Sequence, residues 1–327
     1  MRKSVNKAAF IFVGIAVSII FLWLAMRNIH LVDLWAALSR TDMPIVGLVC
    51  LIYGLFFLTK GIRWKYILSP IQDIAIRDLF PPLMIGIMVS DTLNVYLGEV
   101  VRTYYLSKQV HLRKSSILAS IFLERTIDVL TILFLLATTL LFSQNAPDEI
   151  KTAGIVFGLM GCLSLLLIYL FVHWKSASEA LFRRVIQWLP QNKQAYCLEQ
   201  LQLVRAGFGS MQKPNLILTC GIISVVQWIF MGLANYFSIL AVGVEVPISA
   251  AFLTMGFIAF GMVLPSSPGH IGIIQFCYVL ALGSYGVSAS DAFSAAIIFH
   301  ITLYAVDLFL GLSSLRWIRK RNLEDLS

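Results

Sequence analysis

Charge is scarce in this sequence. Asp, Glu, Lys and Arg together make up 13% of its 327 residues, about half the share in an ordinary soluble domain. A water-soluble globule of this size could not cover its surface with so few charges, which excludes a secreted enzyme, a cytosolic dinucleotide-binding protein and a disordered scaffold. Cysteine is also sparse. The five residues Cys50, Cys162, Cys197, Cys220 and Cys277 show no CxxC spacing, so neither a disulfide nor a zinc site is expected. The strict alternation of a membrane β-barrel is missing, which leaves helices as the only spanning element. There is no G-x-S-x-G, H-E-x-x-H, P-loop or Asp-rich metal cluster, so no metal or cofactor is expected and an enzyme is the less favoured class. An intramembrane carboxylate is nevertheless able to catalyse.

What is present is apolar sequence, 59% of the chain. The reading is an all-α integral membrane protein, a single polytopic domain over residues 1–327. Full spans are expected at 8–26, 43–59, 116–142, 153–174, 215–242 and 292–317. The first of these is too long for a signal-peptide core and no A-x-A site follows it, so it reads as an uncleaved span.

Two further apolar stretches are broken. Residues 80–109 contain Pro81, Pro82, Asp91, Asn94, Gly98 and Glu99, and residues 250–286 are interrupted by Pro265-Ser-Ser-Pro268-Gly269-His270. Irregular backbone survives at membrane depth only where protein or a wet cavity covers it. Each stretch is therefore either a re-entrant hairpin or a pair of short spans, and the charges favour hairpins. With a cytoplasmic N-terminus and two re-entrant hairpins, all but four of the 25 basic residues face the cytoplasm, as the positive-inside rule requires. On this reading Lys60, Arg63 and Lys65 lie in a cytoplasmic loop. Arg27, Arg40 and Lys151 are outside, Arg125 is within the membrane, and both termini are cytoplasmic. The net charge of +8 then reflects orientation, and no nucleic-acid partner is expected.

The same topology makes the two hairpins enter from opposite sides, each flanked by one span before and one after. Ala119-Ser-Ile-Phe122 with Glu124 resembles Ala295-Ala-Ile-Ile298 with His300. An inverted repeat of this kind points to a transporter-type site at the midplane. The polar insert 179–213 reads as two amphipathic helices on the inner leaflet, with Leu181, Val185, Trp188 and Leu189 on one face. A partner-binding hairpin is the alternative.

Charges inside spans are costly and carry a functional hypothesis by default. Glu124 and Asp128 share a helix face, and Arg125 and Asp128 are spaced to pair. Two readings stand: a structural ion pair locking helices, or a polar wall around a translocation cavity. In the first hairpin Asn94, Glu99 and Arg102 surround Gly98, where a half-helix beginning nearby would aim its N–H groups into the break. Pro268, Gly269 and His270 supply the same ingredients in the second hairpin, unless they form a plain turn. Two helix N-termini with Arg102, Arg125 and His270 suit an anion, phosphate best. His300 and Asp307 lie on the last span, where a lone His is as readily a packed residue.

The run Asn94-Val-Tyr-Leu-Gly98-Glu99-Val-Val-Arg102, followed by Glu124-Arg125-Thr-Ile-Asp128, resembles the lysylphosphatidylglycerol synthase transmembrane family, also called flippase-like. Pro265-x-x-Pro268-Gly269-x-x-Gly272 is similar to that family's second signature. The resemblance covers nearly the whole chain. It departs from the pattern at Gln275, where members often carry Glu, and at His300, where they often carry Arg. These two changes would compensate each other if the positions meet. The soluble aminoacyl-transferring domain of the founding enzymes is absent from this sequence, so lipid aminoacylation is not implied.

The resemblance implies an inner-membrane protein that moves an anionic phospholipid or a polyprenyl-phosphate-linked lipid between leaflets, or an accessory subunit of such a translocase. The lipid phosphate would lie between the two breaks. Arg102 and Arg125 would contact it, oriented by Glu99, Glu124 and Asp128. Two alternatives remain: a non-transporting membrane partner of a glycosyltransferase or lipid synthase, and an intramembrane transferase acting on a lipid phosphate. Oligomeric state is left open.

Overall fold

The computed structural model describes residues 14, 16–27, 29–93, 95–142, 174–191, 214–262 and 267–324, with isolated residues between 152 and 163 and between 193 and 202. Among the described residues every regular element is a helix. The expected span 153–174 and residue Asn94 therefore fall largely or wholly outside them, as do Pro265 and the end of the insert 179–213.

We number the helices α1 (Ala16–Met26) and α2 (Leu31–Ser39), which meet at 85°, then α3 (Met43–Leu68), α4 (Ile76–Thr92), α5 (Val95–Val110) and α6 (Lys114–Phe142). There follow α7 (Lys175–Ile186), α8 (Pro214–Ala241), α9 (Ile248–Gly261), a single 3-10 turn Pro268–His270, α10 (Ile273–Gly283) and α11 (Ala289–Glu324). Three of these, α3, α8 and α11, are long and apolar enough to cross a membrane, or four spans if the bent pair α1–α2 is counted as one. Among the described residues these helices match the expected spans 43–59, 215–242 and 292–317, and 153–174 lies largely outside those residues. The expected span 116–142 does form one continuous helix, α6, but Glu124, Arg125 and Asp128 lie along it.

α3 runs further than the sequence predicts. Asp42 caps its start by accepting from the Ile45 N–H, with Pro44 in the first turn. The helix then continues nine residues past the expected end at Thr59, because Trp64, Ile67 and Leu68 are fully buried. At 26 residues it is about 39 Å long, more than the ~30 Å hydrocarbon thickness. Lys60, Arg63 and Trp64 are therefore helical residues inside the protein, not loop residues.

The broken stretches are helical hairpins. Pro81 and Pro82 do not form the break; they are buried within α4, and the chain turns instead after Leu93. Gly98 lies within α5 against Gly86 and Ser90, where a Cβ would collide with backbone and hydroxyl. The two legs thus touch backbone to backbone. Asp78, at the start of α4, accepts from Gln109 of α5 and pairs with Arg321 of α11, tying the hairpin base to the last helix. The second hairpin, α9 and α10, has legs of only 14 and 11 residues, too short for either to cross alone.

The packing pattern repeats. α3 and α8 lie against each other at the centre. The exchange of α3, α4, α5 and α6 with α8, α9, α10 and α11 carries each packing pair among these helices into another. Thus α4 lies on α11 as α9 lies on α6, and α5 on α6 as α10 on α11. Outside this frame, α1 covers the second break: Ser18 accepts from the Ser267 N–H at 2.8 Å, and Phe21 packs edge-on to Phe276. In α7, Leu181 and Val185 are exposed, as is Trp188 just beyond it.

Candidate functional site

The charged residues of α6 meet those of α3 and α5. Lys60 Nζ lies 2.6 Å from Glu124 and 3.2 Å from Asp128. Arg63 pairs with Asp128 at 2.7 Å and donates to Ser224 of α8 at 2.8 Å. Arg102 of α5 pairs with Glu124 at 2.6 Å, its guanidinium carbon 3.5 Å from the centroid of the Trp64 ring. Trp228 donates to Asp128 at 2.9 Å, and Trp64 donates to Ser120. All five charged groups are buried.

Three buried cations, Lys60, Arg63 and Arg102, therefore face two buried carboxylates, Glu124 and Asp128. An uncompensated charge in a low-dielectric interior is expensive, so the surplus positive charge is a structural demand for an anion. Arg63 Nε and Nη2 and Arg102 Nε are buried without a hydrogen-bond acceptor.

Arg125 does not pair with Asp128, as the spacing had suggested. It turns outward and contacts Glu99 at 3.3 Å, its side chain 52% exposed. Its neighbours on that flank, Phe122 and Val129, are exposed and apolar, so this ion pair stands beside surface suited to lipid chains.

The second hairpin contributes a neutral counterpart. Gln275 Nε2 lies 3.0 Å from His300 Nδ1, and Gln275 Oε1 accepts the Gly272 N–H at 2.7 Å. The positions where the sequence departs from its family pattern thus touch. They bridge α10 and α11 as Arg102 and Glu124 bridge α5 and α6. In the turn Pro268–His270, Gly269 has a φ of 77°, and a Cβ there would strike the Tyr304 hydroxyl. That hydroxyl donates to the backbone carbonyl of Asp91 at 2.6 Å, so Tyr304 joins the two breaks. The break does not present a free helix N-terminus at Gly269, because α10 begins at Ile273. Nor does α5 begin at Gly98; it begins at Val95.

Of the expected site residues, Arg102, Glu124 and Asp128 join Lys60 and Arg63 in one network, and Glu99 and Arg125 form a separate pair on its outer flank. Gly269 and His300 meet Tyr304, with Pro268 and His270 in the same turn as Gly269. Lys60 and Arg63 are the residues that sequence reasoning missed. Their signal was the spacing Lys60, Trp64, Ile67 on one helix face.

The family description "lysylphosphatidylglycerol synthase TM region" matches residues 11–311. Over 96% of its length the chain is 23% identical to Glycosyltransferase AglD of Haloferax volcanii, of which it spans about half, 55%. It is also 19% identical to one UPF0104 membrane protein of Methanocaldococcus jannaschii, covering 98% of this chain and 97% of that one. A second such protein of the same organism is 22% identical over 69% of this chain and 92% of its own. No solved structure matches.

Proposed function

The chain belongs to the lysylphosphatidylglycerol synthase transmembrane family, and we propose that it moves an anionic lipid between the leaflets of the cell membrane. The lipid is a phospholipid or a polyprenyl-phosphate-linked carrier. The observation that carries this reading is the buried surplus cation of the Lys60, Arg63 and Arg102 cluster, which a lipid phosphate would neutralise. Arg125 and Glu99, half in contact with the apolar flank, supply a first polar contact for a headgroup whose chains stay in the bilayer.

Six crossings, two re-entrant hairpins of opposite entry and cytoplasmic termini complete the proposal. The short legs of α9 and α10 and the repeated packing support the hairpins, and the distribution of basic residues supports the orientation. Purified protein in proteoliposomes with a headgroup-labelled anionic phospholipid or polyprenyl phosphate should pass the label between leaflets. Arg102→Ala and Arg125→Ala should slow it at least about tenfold, or ~1.4 kcal/mol. Wild-type movement in well-folded variants overturns the assignment.

A second reading is a membrane partner of a glycosyltransferase. It is favoured by the relative named a glycosyltransferase, of which this chain matches about half, and by the exposed Leu181, Val185 and Trp188. Deleting residues 179–213 separates the two: a translocase keeps lipid movement, whereas a scaffold loses its enzyme in a pull-down.

A further inference from the structure

A second pair of acidic residues lies where the two hairpins approach each other, and the ion-pair network does not use it. Asp91 closes α4 and Asp307 lies on α11. Their apposition follows from how these helices cross. Met88 of α4 sits on Gly311, where a Cβ would meet its side chain at 2.6 Å, and the Asp91 carbonyl accepts from Tyr304. Asp307 lies between Tyr304 and Gly311 on the same helix face, between the two contacts that join α11 to α4, which sets its carboxyl beside Asp91. Asp307 is 3% exposed, and its Oδ1 has no donor.

The surrounding groups do not supply a cation to Asp307. From α3 comes Tyr53, an uncharged phenol close to Asp307. From α11 itself comes Tyr304, committed to the Asp91 carbonyl. Lys60 of α3 and Arg125 of α6 act on Asp91 only at longer range. Glu99 and Arg102 of α5 are taken by Arg125 and Glu124. Gln275 of α10 is taken by His300, and His270 in the turn lies toward His300. Two neighbouring carboxylates, one of them buried, do not both ionise readily. An acceptor buried in an apolar interior without a donor carries the same message.

We propose that Asp91 and Asp307 form a proton-binding site at the meeting point of the two hairpins, holding one proton between them. Asp91, the more exposed of the two, is where the proton leaves to water; Asp307, the buried one, then becomes the carboxyl that the protein must re-cover or re-protonate. Because α4 and α11 belong to opposite halves of the repeat, the proton bonds the halves together and its loss sets two like charges against each other across that contact. This inference does not rest on the lipid reading, and it is tested without any lipid substrate.

The test is infrared spectroscopy of the purified full chain in an ester-free maltoside detergent, titrated from acid to alkaline pH in H2O and D2O. The expected result is a carbonyl-stretch band of about one protonated carboxyl per chain at neutral pH. It should shift on deuteration and disappear in one titration as pH rises. Asp307→Asn should shift or abolish the band at neutral pH, because the shared proton loses its second carboxyl. Asp91→Asn should keep it at a shifted frequency, because Asp307 stays buried. Size-exclusion profiles identify folded variants, and either variant alone suffices. Absence of the wild-type band at neutral pH, or a band unchanged in both variants, overturns the site.

Discussion

Gln275 reaches His300 across 3.0 Å, bridging α10 and α11 with neutral groups where Arg102 and Glu124 bridge α5 and α6 with charges at 2.6 Å. The two halves share a packing scheme but not an electrostatic one. Among the described residues the buried ion pairs lie in the network of α3, α5 and α6.

That difference predicts a coupled pair. Gln275→Glu alone places a carboxylate against a neutral ring, and His300→Arg alone places a guanidinium against a neutral amide. Each should lower the melting temperature in detergent. The double variant should recover most of the loss, with a coupling of about 0.5–3 kcal/mol in a double-mutant cycle. Additive losses would show that the two side chains act independently.

The charge network predicts an unequal response to removing its members. Glu124→Gln leaves Lys60, Arg63 and Arg102 facing Asp128 alone and should cost about 3–5 kcal/mol. Lys60→Met leaves two cations against two carboxylates and should cost less than about half of that. Thermal unfolding of the two variants in the same detergent checks the order. The Lys60→Met protein should still lose affinity for anionic lipid, read from the lipid that co-purifies with it.

Arg125 is the complementary case. Its contact with Glu99 is half exposed, so Arg125→Gln should change stability by no more than about 1 kcal/mol. If the outward pair receives the headgroup, lipid movement should nevertheless fall. A variant that is both stable and fully active would remove Arg125 from the path.

The hairpin contact at Gly98 predicts a steric effect. Gly98→Ala introduces a Cβ into Gly86 and Ser90 and should destabilise by about 1–3 kcal/mol. Gly54→Ala, with open space around it, serves as the control and should change little.

The sequence made some of this legible and hid the rest for physical reasons. Glu99, Arg102, Glu124, Arg125 and Asp128 announced themselves because a charge in an apolar run has no cheap explanation. Lys60 and Arg63 did not, because they follow the apolar run of α3 and look like the ordinary basic flank of a span. Only the burial of Trp64, Ile67 and Leu68 on the same helix carries them inward. Pro81 and Pro82 suggested a break that the fold placed after Leu93, since both prolines are buried inside α4 and packing holds the helix through them. Asp91 and Asp307 were both visible as intramembrane acids, but no local pattern links residues on α4 and α11. Their meeting depends on a helix crossing fixed by Met88 and Gly311.

The bare backbone contact between Gly86 and Gly98 has a mechanical consequence. With no layer of side chains between them, α4 and α5 have nothing to roll or slide on, so they form one stiff lever. Arg102, whose Cβ faces Gly86, is fixed to that lever together with Asp91 at its tip. The second hairpin is jointed differently: Gly261 meets the side chains of Ile273 and Cys277, which can change rotamer and give. Any motion that opens the protein would swing the first hairpin as a unit and bend the second, carrying a cation and an acid along the same arc.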